Sequence, residues 1–212
     1  MAEKRKTAES IVKTDSFVYR LCFSIGKWFL VSLLFWFCSI PVITAGTSYA
    51  AALAVSREDI VDLRDIFSRF FSCFGNFFKK TLPVFLLVCL FVLLQILNLS
   101  FYNQFLNPGK VIYYIAAGVI LLLTFTAVSI YRFYAFEITY NEPLTIRKSF
   151  SKAIHRMLRC LPVTGILALM DIALAATIAG APIVFPVLFI YPGFQAFLTC
   201  ILIQWFENRR KI

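Results

Sequence analysis

The sequence predicts an all-α fold. It reads as a polytopic membrane helix bundle with five full crossings, a re-entrant or short returning helix, and two cytoplasmic amphipathic helices. Three observations predict it. Hydrophobic residues make up 60% of the chain and charged residues only 15%, where soluble domains run near half and a quarter. Phenylalanine alone occurs 24 times, an apolar surplus that a water-facing monomer rarely displays. Finally, 19 of the 21 basic residues fall in four blocks between long apolar stretches.

Residues 1–15 are polar and read as a short cytoplasmic tail. The stretch Cys22–Ile40 holds 19 residues, about 28 Å as helix and enough to cross a hydrocarbon core. Pro41 ends it, because proline cannot donate and pushes the residue before it out of helical geometry. Further spans are expected at 81–102, 111–131, 161–180 and 182–206, each long and apolar enough for a crossing. The whole chain, 1–212, forms one integral membrane domain.

Charge sets the topology. Basic residues number five in 1–21, five in 56–80, six in 132–160 and three in 207–212. Loops rich in Lys and Arg stay in the cytoplasm, so all four blocks, and with them both termini, belong on that side of a bacterial cell membrane. The chain must then return between Ile40 and Arg57. Segment 41–55 is short and rich in small residues, so it reads as a re-entrant or half-length helix, tolerated only where protein buries it or a cavity borders it.

Two of the basic blocks are amphipathic. In 58–80, Leu63, Ile66, Phe67, Phe70, Phe71, Phe74, Phe77 and Phe78 share an arc about 140° wide. In 143–160, Ile146, Phe150, Ala153, Ile154, Met157 and Leu161 share one face. Lys148, Lys152, Arg156 and Arg159 share the other and are the candidate membrane-surface residues. Pro143 suits the first turn of that helix. Both helices are expected at the inner membrane surface, their basic groups near anionic headgroups, or packed on the bundle itself. Each runs into the same tripeptide, Leu82-Pro83-Val84 and Leu161-Pro162-Val163, which suggests a parallel repeat offset by 79 residues.

Several function classes drop out. The net charge of +10 is spread over membrane loops, with no basic, aromatic-interleaved module for nucleic acid. Six cysteines lack any CxxC pair, so neither a disulfide framework nor a zinc site is indicated. Ala50-Ala51-Ala52 mimics a signal-peptide cleavage site, but the apolar run before it is too long for one. No HExxH, GxSxG, P-loop or dinucleotide fingerprint occurs, and His155 is the only histidine. No catalytic residue, cofactor or metal is expected.

Two places carry candidate function. Asp171 is the one acid deep inside an expected span. An ionisable group there marks a relay, a cation ligand, a partner for Lys27, or a neutral acid hydrogen-bonded across helices. The segment 39–52, SIPVITAGTSYAAA, breaks a helix at Pro41 and offers Thr44, Gly46, Thr47 and Ser48 at a new helix start. Such a start holds polar or anionic groups in broken-helix transporters; small residues at that spacing also serve plain helix packing.

The first span ending in Cys38-Ser39-Ile40-Pro41-Val42-Ile43-Thr44-Ala45-Gly46, its Ala-rich return, and the aromatic RDIFSRFFSCFGNFFKK at 64–80 resemble the YesL family of bacterial membrane proteins. The similarity runs the full length and is strongest around Pro41, Thr44 and Gly46. Ala45 replaces the β-branched residue usual there, and Thr47-Ser48 departs from the usual continuation. The resemblance implies a non-enzymatic accessory or scaffold role in carbohydrate uptake, since such proteins are typically encoded beside carbohydrate ABC-transporter genes. It carries over no catalytic residue. Expected partners are the lipid bilayer and either ABC-transporter permease subunits or further copies of the chain. The alternatives are a small stand-alone transporter or channel built on Asp171 and segment 41–55, and a membrane sensor signalling through the amphipathic helices.

Overall fold

A computed structural model describes residues 17–58, 60, 62–105, 111–140, 145–180 and 185–209, with the side chains of 17–21, 63, 103, 105, 174–180 and 185–190 excepted. The tail at 1–15, the loop residues 106–110, Pro143 and the turn near 181 lie outside the described residues.

Helix α1 (Phe17–Cys38) stops just before Pro41. The turn that follows meets its own backbone demands. Ser39 N–H folds back onto the carbonyls of Phe35 and Trp36. The Thr44 hydroxyl donates to the carbonyl of Pro41 at 2.7 Å and to that of Cys38, one of the carbonyls a helix end leaves open. A single 3-10 turn, Val42–Thr44, leads into α2 (Ala45–Arg57).

Helix α2 is the core. Eleven of its 13 residues are buried, and it packs against α1, α3 (Leu63–Phe105), α4 (Val111–Tyr140) and α7 (Phe185–Arg209). A helix enclosed on every side needs small side chains so that four neighbours can approach. The run Gly46-Thr47-Ser48 followed by Ala50-Ala51-Ala52 supplies them, all buried.

Helix α3 runs unbroken for 43 residues, about 64 Å. The surface helix expected at 58–80 and the span expected at 81–102 are therefore parts of one continuous helix. Pro83 lies inside it and weakens the turn before it. There Tyr134 donates its hydroxyl to the Lys80 carbonyl at 2.8 Å, the kind of neighbouring-helix support that lets membrane helices keep a proline. Ile66, Phe70, Phe77, Thr81, Val84 and Val88 form its buried stripe, whereas Phe67 and Phe71, expected on the same face, are half exposed.

Helix α4 extends nine residues past the expected end at 131. The extension is among the most buried stretches of the chain, from Tyr131 to Ile138. Arg132 and Glu137 marked it as loop in the sequence; both are paired inside the bundle. Helix α5 (Ile146–Arg159) meets α6 (Leu161–Gly180) at a bend of 87°. Pro162 stands in the first turn of α6, while Pro83 sits mid-helix, so the two Leu-Pro-Val tripeptides are not structurally equivalent.

The described residues are almost wholly helical, and the length and composition of the helices are compatible with a helical membrane protein. Among the described residues, Arg64–Tyr102 and Val111–Tyr140 are long and apolar enough to cross a membrane, and a third crossing results if α5 and α6 count as one broken span. Five full crossings are not supported at that number. The described apolar part of α1, Cys22–Cys38, is short for a crossing, and α6 stands at a sharp angle to the helix before it.

Candidate functional site

Two polar clusters lie among the helices. The inner one is built on α6, whose bundle-facing stripe is Val163, Leu167 and Asp171, each four residues on; the first two are 2% exposed. The stripe ends in a carboxylate because the neighbouring helices offer it donors. Arg132 on α4 places Nη2 2.6 Å from Asp171 Oδ2. From α7, Gln195 donates its side-chain amide to Oδ1 at 2.8 Å and Tyr191 donates its hydroxyl to the same oxygen. The polar chain continues through Thr199, which donates to the Gln195 carbonyl at 2.8 Å and meets the buried Tyr49 hydroxyl of α2 at 3.5 Å.

Charge is balanced at this site, but hydrogen bonding is not complete. Nη1 of Arg132 is buried and has no hydrogen-bond partner among the described residues. Asp171 was expected to pair with Lys27 if it paired at all; Arg132 takes that place, and Lys27 donates to the Glu58 carbonyl instead. A carboxylate and a guanidinium held this way tie α4, α6 and α7 together, and a buried pair is costly to break by removing one member.

The second cluster lies at the rim where α4 ends. Glu137 is 1% exposed. Arg156 Nη1 stands 3.0 Å from its Oε1, an ion-pair contact without the geometry of a hydrogen bond, while Nε stands 2.9 Å from Glu207 Oε1 on α7. The same guanidinium lies 5.2 Å from the Phe136 ring and 5.6 Å from that of Tyr140. Arg57 also lies over the Tyr140 ring, at 4.5 Å, and donates to the Thr139 carbonyl at 3.0 Å. Arg156 therefore leaves the set of candidate membrane-surface residues, because α5 is rotated from its expected setting. It buries Ser149, Ala153 and Cys160, while Ile146 and Leu161 of the expected apolar face are exposed. Lys148, Lys152 and Arg159 are exposed.

Residues 41–48 are brought together differently from a ligand cradle. Pro41 is exposed and Thr44 half-buried at the turn. Gly46 lies against the Phe85 ring and the Tyr131 hydroxyl, so close that a methyl group would collide with both. Thr47 bonds Thr81 at 2.8 Å, and Ser48 donates to the Thr44 carbonyl at 3.0 Å. Their polar atoms serve helix contacts, and none of them reaches the Asp171 cluster.

Sequence reasoning did not find Arg132, Glu137, Tyr191, Gln195 and Glu207. One signal was present for Arg132. An acid within an apolar span calls for a cation, and no helix breaker stands between Arg132 and Pro143, so a longer α4 carries Arg132 into the bundle. No protein-family model matches the chain, and no curated protein or solved structure matches it.

Proposed function

We propose that this chain is a non-enzymatic scaffold or accessory subunit of a bacterial membrane, linked to carbohydrate uptake. One observation carries the scaffold reading: the centre of the bundle is filled by α2, with Ala50 to Leu53 and Val55 fully buried. A helix packed on four sides leaves little room for a solute path through the middle. The link to carbohydrate uptake rests on the resemblance to the YesL family alone. Permease subunits of an ABC transporter are the partners this reading names.

The topology belongs to the same proposal. Charge asymmetry favours both termini and α5 in the cytoplasm, with α3, α4, α6 and α7 as crossings and α1 and α2 as the outgoing and returning limbs of a re-entrant pair. Helix α2 is about 20 Å long at 1.5 Å per residue, short of a hydrocarbon core of about 30 Å. The turn before it exposes Ile40 (75%), Val42 (72%) and Ile43 (54%), side chains suited to lipid at that depth.

Crosslinking in native membranes, followed by mild-detergent purification and mass spectrometry, tests the reading. Stoichiometric recovery of permease subunits is the expected outcome, with lower sugar uptake when the gene is lost. Recovery of the protein alone, together with unchanged uptake, sinks it. A stand-alone transporter is the second reading, favoured by the buried, incompletely bonded Arg132 beside Asp171. Solute flux in reconstituted vesicles that Asp171→Asn abolishes would establish it.

A further inference from the structure

Helix α5 has three faces. Ser149, Ala153 and Cys160 pack on the bundle with Arg156 beside them. Leu158 (55% exposed) shares a second face with exposed Arg147 and Ser151, while Ile146 (40%) lies at the edge of the bundle face. Lys152, His155 and Arg159 are exposed together on the third. At about 100° per residue, the last group falls within an arc of about 60°.

That third face is concave. An open cleft of about 530 Å³ is lined by Glu137, Lys152, His155, Arg156, Arg159 and Glu207. Its charges are already sorted. Both carboxylates are committed to Arg156, at 3.0 and 2.9 Å. Among the described residues no acid pairs with Lys152 or Arg159. The lining thus sets three cations (Lys152, Arg156, Arg159) against two carboxylates, a net charge of +1 leaving His155 aside, and the positive surplus lies at Lys152 and Arg159 on either side of His155.

We propose that this cleft binds a phosphate group, gripped by Lys152, His155 and Arg159. Positions 152, 155 and 159 are three and four residues apart, so the side chains rise from successive turns of one face. Their donors approach a small anion from several directions. A phosphate has enough oxygens to meet all of them, and charge-assisted bonds of this kind are about twice as strong as neutral ones. Arginine supplies a planar fork and lysine a point charge, the usual pairing at phosphate sites. A solvated basic face would need no cavity. The inference concerns the purified protein and is independent of the scaffold reading.

The test is calorimetric titration of the full chain with inorganic phosphate, in nanodiscs of phosphatidylcholine at low ionic strength. A parallel arm uses phosphatidylcholine discs containing phosphatidic acid, read by native mass spectrometry. Saturable phosphate binding is expected, weakened at least about tenfold in Lys152→Gln/Arg159→Gln and unchanged in Lys148→Gln, which lies outside the cleft. All three side chains are exposed, and thermal melts confirm that the variants fold. Phosphate binding without retained phosphatidic acid identifies a soluble source. Retention of phosphatidic acid that depends on Lys152 and Arg159, without binding of free phosphate, identifies a headgroup. Absence of both, or binding untouched by the double substitution, overturns the proposal.

Discussion

Arg132 and Asp171 face one another across α4 and α6, with Nη2 2.6 Å from Oδ2. Asp171 is the only charged member of the stripe by which α6 docks, so the pair bears directly on whether that helix stays attached. Asp171→Ala strands a guanidinium whose side chain is 10% exposed, and is expected to destabilise the protein by about 3–5 kcal/mol. Replacing both, as Arg132→Met with Asp171→Leu, removes the charges together and is expected to recover most of that loss. Thermal unfolding of the parent, Arg132→Met, Asp171→Leu and the double variant in one detergent closes the cycle. Additive losses in the double variant would mean that the two groups act independently.

Glycine substitutions separate close helix crossings from open helix surface. A methyl group at Gly193 would strike the Trp28 carbonyl and the Ser32 hydroxyl, which itself accepts the Gly193 N–H at 2.8 Å. Backbone cannot step aside, so Gly193→Ala is expected to cost about 2–3 kcal/mol. Gly46→Ala meets the Phe85 ring and Tyr131 hydroxyl; side chains can shift, and about 1–2 kcal/mol is expected. Gly75 and Gly118 have nothing within 4 Å, so alanine there is expected to be neutral or stabilising by up to about 1 kcal/mol. Melting temperatures of the four variants rank them.

The resemblance of these findings to the sequence reading is uneven, and the unevenness has physical causes. Apolar length located most helices, because lipid demands continuous hydrophobic runs. Segment 41–55 was legible as a separate short helix because its side chains are small and its start is a proline. Helix ends were misplaced wherever charge sits inside protein. Hydropathy treats Arg132 and Glu137 as solvent residues, yet one meets Asp171 and the other Arg156. The setting of α5 was misjudged for the same reason: Arg156, assigned to the polar face, is drawn inward by two glutamates. Long-range pairing of this kind joins positions up to 51 residues apart, as in Arg156 with Glu207, and no local pattern encodes it.

Arg156 is expected to act as the latch that keeps α5 on the bundle. Its removal in Arg156→Ala leaves Glu137, 1% exposed, without the cation beside it, and α5 should loosen. Cys160 reports this directly: it caps α5 and is 2% exposed. With the other five cysteines replaced by serine or alanine, maleimide should label Cys160 slowly in the parent and at least about tenfold faster in Arg156→Ala, an opening shift of roughly 1.4 kcal/mol or more. Glu137→Gln combined with Arg156→Met should restore slow labelling. Equal rates in all three would show that apolar contacts alone hold the helix.

The proposed topology makes the depth of the α1–α2 turn the most informative position in the chain. Single cysteines in an otherwise cysteine-free protein are placed at Tyr102, Ser151 and Val42, all exposed on the molecule. Tyr102→Cys, near the far end of α3, should react with a membrane-impermeant maleimide from outside intact cells. Ser151→Cys on α5 should react only after the inner face is opened. Val42→Cys distinguishes the two paths open to α2. A re-entrant α2 of about 20 Å leaves the turn within hydrocarbon, where a thiol is shielded from the impermeant reagent on either side. A full crossing would bring it to the outer interface, labelled as readily as Tyr102→Cys. The re-entrant outcome is expected, because the turn bonds its own carbonyls through Thr44 and Ser39, and irregular backbone needs such internal bonding most where no water can reach it. Labelling of Ser151→Cys from outside would reverse the orientation and with it the cytoplasmic placement of α5.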